Sequence, residues 1–255
     1  SKKVVPLPEN MFILPIRQFK SPSAVSSNDI IMKQLILLLA SLVLSTSIQA
    51  QSNKEHIVQH IRAFDVCKSV AITQNSGSAM IYDQCEWIAQ DCPHFFTEAL
   101  YETKIAKDTL QDIHITELGR WIVLYNDNKV KSDLLYENLN QKIASCQEDN
   151  EKITTITFND NGDWVVVTTK QVTASSNDLL AWIMEGCQKY GQVWTACITE
   201  DAAVVVYESG FKFHGNVPEN LKEALRACKS NVYTVKLSGS SWLFRCTNNT
   251  GVYSL

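Results

Sequence analysis

The sequence predicts an α+β fold in which five tandem α-β-β-(β) repeats of about 40 residues form one domain. Three observations carry this. An apolar stripe of helical spacing returns five times, and each stripe is followed by two β-branched or aromatic runs separated by a turn. The third is composition: 45% of the 255 residues are hydrophobic and 20% charged, with 9 Gly and 6 Pro, which suits a packed chain and excludes a disordered or collagen-like one.

The last helix shows the stripe most plainly. Pro218 stands where a first turn tolerates proline, and Leu221, Ala224, Leu225 and Cys228 follow at i, i+3, i+4 and i+7. The stripe recurs 41 residues earlier as Leu180, Ile183, Met184 and Cys187, and 41 earlier again as Leu139, Lys142, Ile143 and Cys146. A step of 43 gives Phe96, Ala99, Leu100 and Thr103, with Pro93 in the place of Pro218, and a step of 36 gives His60, Ala63, Phe64 and Cys67.

The clearest hairpin runs from Ile153 to Phe158, turns at Asn159-Asp160-Asn161-Gly162 and returns through Trp164 to Val167. Ile113 to Ile115 with Trp121 to Leu124, and Val232 to Leu237 with Trp242 to Phe244, repeat it, whereas Ala79 and Ala203 stand where the other copies carry Trp. A short third strand is expected in most copies, as at Gly210 to His214 and Gly251 to Ser254. The units span 51–92, 93–130, 131–173, 174–214 and 215–255. No such unit covers its own apolar face, so neighbours must build the core between them.

Gly119-Arg120-Trp121-Ile122-Val123 and Gly162-Asp163-Trp164-Val165-Val166 share the pattern G-x-W-[VI]-V, and Pro218 to Leu225 reads P-x-x-L-x-x-A-L. The combination resembles tandem repeats in uncharacterised exported bacterial proteins, a resemblance that implies no particular activity. Two arrangements follow: an open, helix-backed solenoid, or a closed ring similar in architecture to the α/β-propeller of the pentein superfamily. Five units suit the ring, although pentein units run in the order ββαβ.

Residues 1–31 precede a complete export signal and are read as upstream translated sequence without a structural role. Met32-Lys33-Gln34, the apolar run Leu35 to Leu44 and the small residues up to Ala50 predict a secretory signal peptide over 32–50, cleaved after Ala50. The apolar run is shorter than the ~20 residues a membrane span needs. Removal of residues 1–50 takes five basic and two acidic residues from totals of 23 and 27, leaving 18 against 25 and a net charge of −7. That excludes the basic footprint of a nucleic-acid binder. The mature chain is expected to be periplasmic or extracellular.

All eight cysteines follow the signal, and an even count in an exported chain favours disulfides. Cys67 and Cys85 are 18 residues apart, as are Cys228 and Cys246. Both pairs are expected to staple helix to hairpin in the terminal units, with Cys187 to Cys197 and Cys92 to Cys146 as remainders. Trp121, Trp164 and Trp242 recur at one strand position, which reads first as core between units and second as a stacking platform for sugar or peptide. His56 and His60 lie one helical turn apart, but no third metal ligand is nameable, so no metal site is assigned. A thiol enzyme would need Cys197 or Cys246 as nucleophile, His214 as base and Asp201 or Glu208 to orient it, with no motif around them. Asn126-Asp127-Asn128 and Asn159 to Gly162 read as turns rather than calcium loops, and Asn248-Asn249-Thr250 is a glycosylation sequon.

No catalytic residue and no cofactor follow from these patterns. The expected role is binding of a protein, peptide or glycan, one form being inhibition of a secreted enzyme. A Cys-dependent hydrolase or amidino-group enzyme and a structural envelope protein are the alternatives.

Overall fold

The computed structural model describes residues 55–61, 67–247 and 251–255. The export signal, the stripe positions Ala63 and Phe64, and the sequon at 248–250 lie outside the described residues.

Among the described residues, five helices alternate with five groups of three strands. The first unit holds α1 (55–61), β1 (Ser69–Ile72), β2 (Ser78–Ile81) and β3 (Trp87–Gln90). The second holds α2 (His94–Ala106), β4 (Leu110–Ile115), β5 (Trp121–Tyr125) and β6 (Lys129–Asp133), and the third α3 (Glu137–Glu148), β7 (Ile153–Phe158), β8 (Trp164–Thr168) and β9 (Val172–Ala174). The fourth holds α4 (Asn177–Tyr190), β10 (Val193–Ile198), β11 (Ala202–Tyr207) and β12 (Phe211–Gly215), and the last α5 (Glu219–Ala227), β13 (Val232–Ser238), β14 (Ser241–Cys246) and β15 (Gly251–Ser254). The third strand is thus present in every unit. Each sheet is a three-stranded antiparallel meander, and the sheets are open rather than closed. The all-antiparallel order departs from the pentein unit.

Turn chemistry explains the meanders. Asn159 Oδ1 accepts the N–H groups of Asn161 and Asp163 at 3.1 and 2.9 Å, and Gly162 takes φ +98°. Asn126 and Asp127 sit at φ +48° and +73°, the left-handed pair that a tight hairpin turn requires.

The cores lie between sheets, not within them. Between the first and second units, Ala79 and Ile81 pack on Ile113, Ile115 and Trp121 with Phe96 and Leu100 of α2. Equivalent clusters fill the next three seams, each including the helix that links the two sheets. A fifth cluster joins Leu243, Tyr253 and Leu255 of the last unit to Val70, Ile72 and Met80 of the first, with Ile57 of α1. The first strands pack β1 on β4, β4 on β7, β7 on β10 and β10 on β13, and β13 packs in turn on β1.

No backbone ladder joins those first strands, so side chains satisfy their edges. Thr157 Oγ1 accepts the N–H of Ile198 at 3.1 Å, Asn159 Nδ2 donates to Thr199 O at 3.0 Å, and His114 Nε2 donates to Phe158 O at 2.6 Å.

The helical stripe is buried in full in α2 and at Leu139, Ile143 and Cys146 in α3. In α4 it is rotated: Met184 is exposed, and Ile183 and Gly186 face inward. The cause is Tyr207, whose hydroxyl donates to Ile183 O at 3.0 Å and whose ring lies where a Cβ on residue 186 would stand, 2.2 Å away. Two stripe cysteines leave their helices. Cys228 caps α5 in extended conformation, and Cys67 is buried in non-helical chain entering β1.

Candidate functional site

The first strands carry a shared irregularity. Their pairing with the second strands slips between Leu110 and Asp112, Ile153 and Thr155, Val193 and Thr195, and Val232 and Thr234. The skipped residues are Gln111, Thr154, Trp194 and Tyr233. A bulge leaves one residue unpaired and re-aims its side chain. These four, with Lys68 ahead of β1, line a cavity of about 620 Å³ to which all five units contribute.

The next position on each strand is polar and buried: Ser69, Asp112, Thr155, Thr195 and Thr234. Ser69 Oγ donates to Asp112 Oδ1 at 2.6 Å, and the hydroxyls of Thr155 and Thr195 lie 3.1 Å apart. Lys236 reaches from β13 to β4, its Nζ 2.7 Å from Asp112 Oδ1 and 2.9 Å from Ile113 O. The carboxylate of Asp112 at the cavity floor is therefore already matched by a cation.

The rim is held as firmly. Gln111 donates through Nε2 to Asp127 Oδ1 at 3.0 Å and accepts the Asp127 N–H, while Lys152 Nζ pairs with Asp127 Oδ1 at 2.6 Å. Gln192 Nε2 donates to Thr169 O at 3.2 Å, and Thr154 Oγ1 to Val167 O at 3.1 Å.

The far ends of the first strands frame a smaller cavity of about 250 Å³, where His114 meets Glu117, Glu200 and Asp201. Burial, reinforced by the charge of Lys236, pushes the His114 imidazole down to about 4, so it stays neutral. Glu117 accepts the N–H groups of Gln74 and Asn75 and the hydroxyl of Ser238, tying first, second and fifth units together.

The residues singled out by the sequence fall elsewhere. Trp121, Trp164 and Trp242 are 4%, 6% and 4% exposed, so they form core and no stacking platform. Phe96 stacks edge-on to Trp121 at 5.7 Å, and Trp242 Nε1 donates to Asn220 Oδ1 at 3.1 Å. His60 Nδ1 lies 2.9 Å from the His56 carbonyl of its own helix, and no group of three potential metal ligands occurs among the described residues.

Cys197 and His214 cannot meet. Cys197 pairs with Val204 and Val204 with Phe213, which places His214 two strands away on the opposite sheet face. Cys197 and Cys246 belong to the seam between fourth and fifth units, whereas exposed His214 contacts Trp182 of α4. Burial raises the Cys197 thiol to about 11 and Cys67 to about 12, the reverse of what a nucleophile needs. His214 and Asp201 share a third cavity of about 390 Å³ beside α4, without a thiol in its wall.

The eight cysteines carry no disulfide in this structure. Cys228 and Cys246 come within 2.9 Å, sulfur to sulfur, outside the ~2.05 Å of a bond. Cys67 is buried and Cys85 half-buried, and neither forms a disulfide.

Gln111, Thr154, Trp194 and Tyr233 escape the sequence pattern because no two of them are the same residue type. Their signal was the spacing of 43, 40 and 39 residues, the repeat period itself.

No protein family and no curated protein matches the chain. Among solved structures, the crystal structure of selenomethionine-substituted virginiamycin B lyase from Staphylococcus aureus is similar at 8% identity and a TM-score of 0.29, over 74% of this chain and 70% of that one. So slight a likeness carries no chemistry across. No helix among the described residues is long and apolar enough to cross a membrane.

Proposed function

We propose that this chain is an exported binding module that takes its ligand in the 620 Å³ cavity at the start of the first strands. One observation supports the reading above the others. Four bulges at one repeat position present four different side chains to a single space, an arrangement that packing alone does not call for. The cavity falls within the ~300–1,000 Å³ of ordinary ligand sites.

The reading takes the five sheets as arrayed about one axis, with the fifth unit seated on the first through Leu243 and Met80. Export rests on the 32–50 segment. The alternative of a thiol enzyme loses its support with the separation of Cys197 from His214.

Binding on glycan and peptide arrays tests the reading, with the intact protein compared with Tyr233→Ala. Tyr233 is 36% exposed, so truncation leaves the core intact. Signals that the substitution removes are expected. Signals equal in both proteins would move the site elsewhere, and silence on both arrays would defeat the reading.

A further inference from the structure

Resting on that reading, we infer that the cavity recognises a short oligosaccharide, and preferentially one carrying acidic groups. Consider first its wall. Trp194 and Tyr233 come from adjacent units at the same bulge position and are the aromatic side chains of the site. Their flat faces match the C–H faces of pyranose rings, and their limited rotamer freedom means little entropy is lost on contact.

The uncharged polar lining is hydroxyl and amide, with Thr154, Thr168, Thr234, Gln111 and Gln192 among it. Gln111 and Gln192 are already oriented by Asp127 and Thr169. Neutral planar groups held in place suit the dense, fixed pattern of sugar hydroxyls, because each is a donor and an acceptor at once.

A peptide would add itself to a free strand edge. On the strand that carries Gln111, the backbone just past the cavity is occupied: the Ile113 carbonyl is taken by Lys236 and the Ile113 N–H by Asp112. Charge settles the preference further. Asp112 is matched by Lys236, so the net charge left facing a ligand comes from Lys68 and Lys152. The pair of Lys152 with Asp127 is more than half exposed and easily exchanged for a ligand carboxylate.

The test titrates the intact protein with hexamers of cellulose, chitin and polygalacturonate, read by calorimetry and by tryptophan fluorescence. At least one hexamer should bind, oligogalacturonate most tightly and with affinity that falls as salt rises. Trp194→Ala should weaken it at least ten-fold, Trp194→Phe should restore most of the loss, and Tyr101→Ala on the outer face of α2 should change nothing. Absence of binding by all three, with peptide-array signals still lost in Tyr233→Ala, would overturn the saccharide assignment and leave the binding cavity standing. Absence on every array would remove both. Hexamer binding that ignores Trp194 and Tyr233 would also overturn the assignment.

Discussion

Replacing Lys236 by Met should unfold the protein more readily than the loss of any exposed cation. The side chains of Lys236 and Asp112 are each 8% exposed, and the ammonium lies 2.7 Å from Oδ1. Without it, Asp112 keeps the Ser69 hydroxyl at 2.6 Å and the Ile113 N–H at 3.0 Å but has no counter-charge. Stranding one member of a buried pair costs about 3–5 kcal/mol. For a body of this size each kcal/mol lowers Tm by about 2–4 °C, so a drop of about 6–20 °C is expected by calorimetry. The double variant Lys236→Met with Asp112→Asn removes both charges and should recover most of the loss. A single variant within about 2 °C of the parent, or a double variant no better than the single one, would show that the pair is not a buried link between fifth and second units.

Acid should act through His114. Its imidazole stays neutral in the folded protein down to about 4, while the unfolded chain takes up that proton near 6.5. The unfolded state therefore binds more protons between those values, so stability falls as pH drops through that window, by about 1–3 kcal/mol, and His114→Gln should flatten the profile in urea titrations. Oxidation with a disulfide such as oxidised glutathione should join Cys228 to Cys246, which are 18 residues apart, and add about 3 kcal/mol; unreduced mass mapping would show the pair, and Cys228→Ser would abolish the gain. Trp121→Ala should cost about 3–5 kcal/mol, because the ring fills the seam with Phe96, and should leave ligand affinity of the folded fraction unchanged.

Much of the fold was legible because its signals are local. Phe96, Ala99, Leu100 and Thr103 are buried together as their spacing required, and Ile153 to Phe158 is a strand over the whole range read from its alternation. The rotation of α4 was not legible, since it depends on Tyr207 lying over Gly186 from a strand two elements away. The recurrent Trp residues were read correctly as core, and the platform option fell because their slot faces a seam. The candidate site stayed hidden for a different reason. A bulge breaks the period-2 pattern at the residue that matters, and Ser69, Asp112 and Thr155 pass for the wet face of ordinary strands until the first strands are seen to pack on one another. Likewise nothing in the spacing of Cys197 and His214 says that a sheet separates them.

Removing the fifth unit, by ending the chain at Gly215, bears most directly on whether the five modules hold one another up. Loss of that unit exposes the faces of the first and fourth sheets together, and takes Lys236 from Asp112 and Ser238 from Glu117. The shortened chain should show no cooperative thermal transition. A four-unit protein that melts cooperatively near the parent's Tm would mean that the units stack in a line, each needing only its neighbour, and that no shared cavity depends on the fifth.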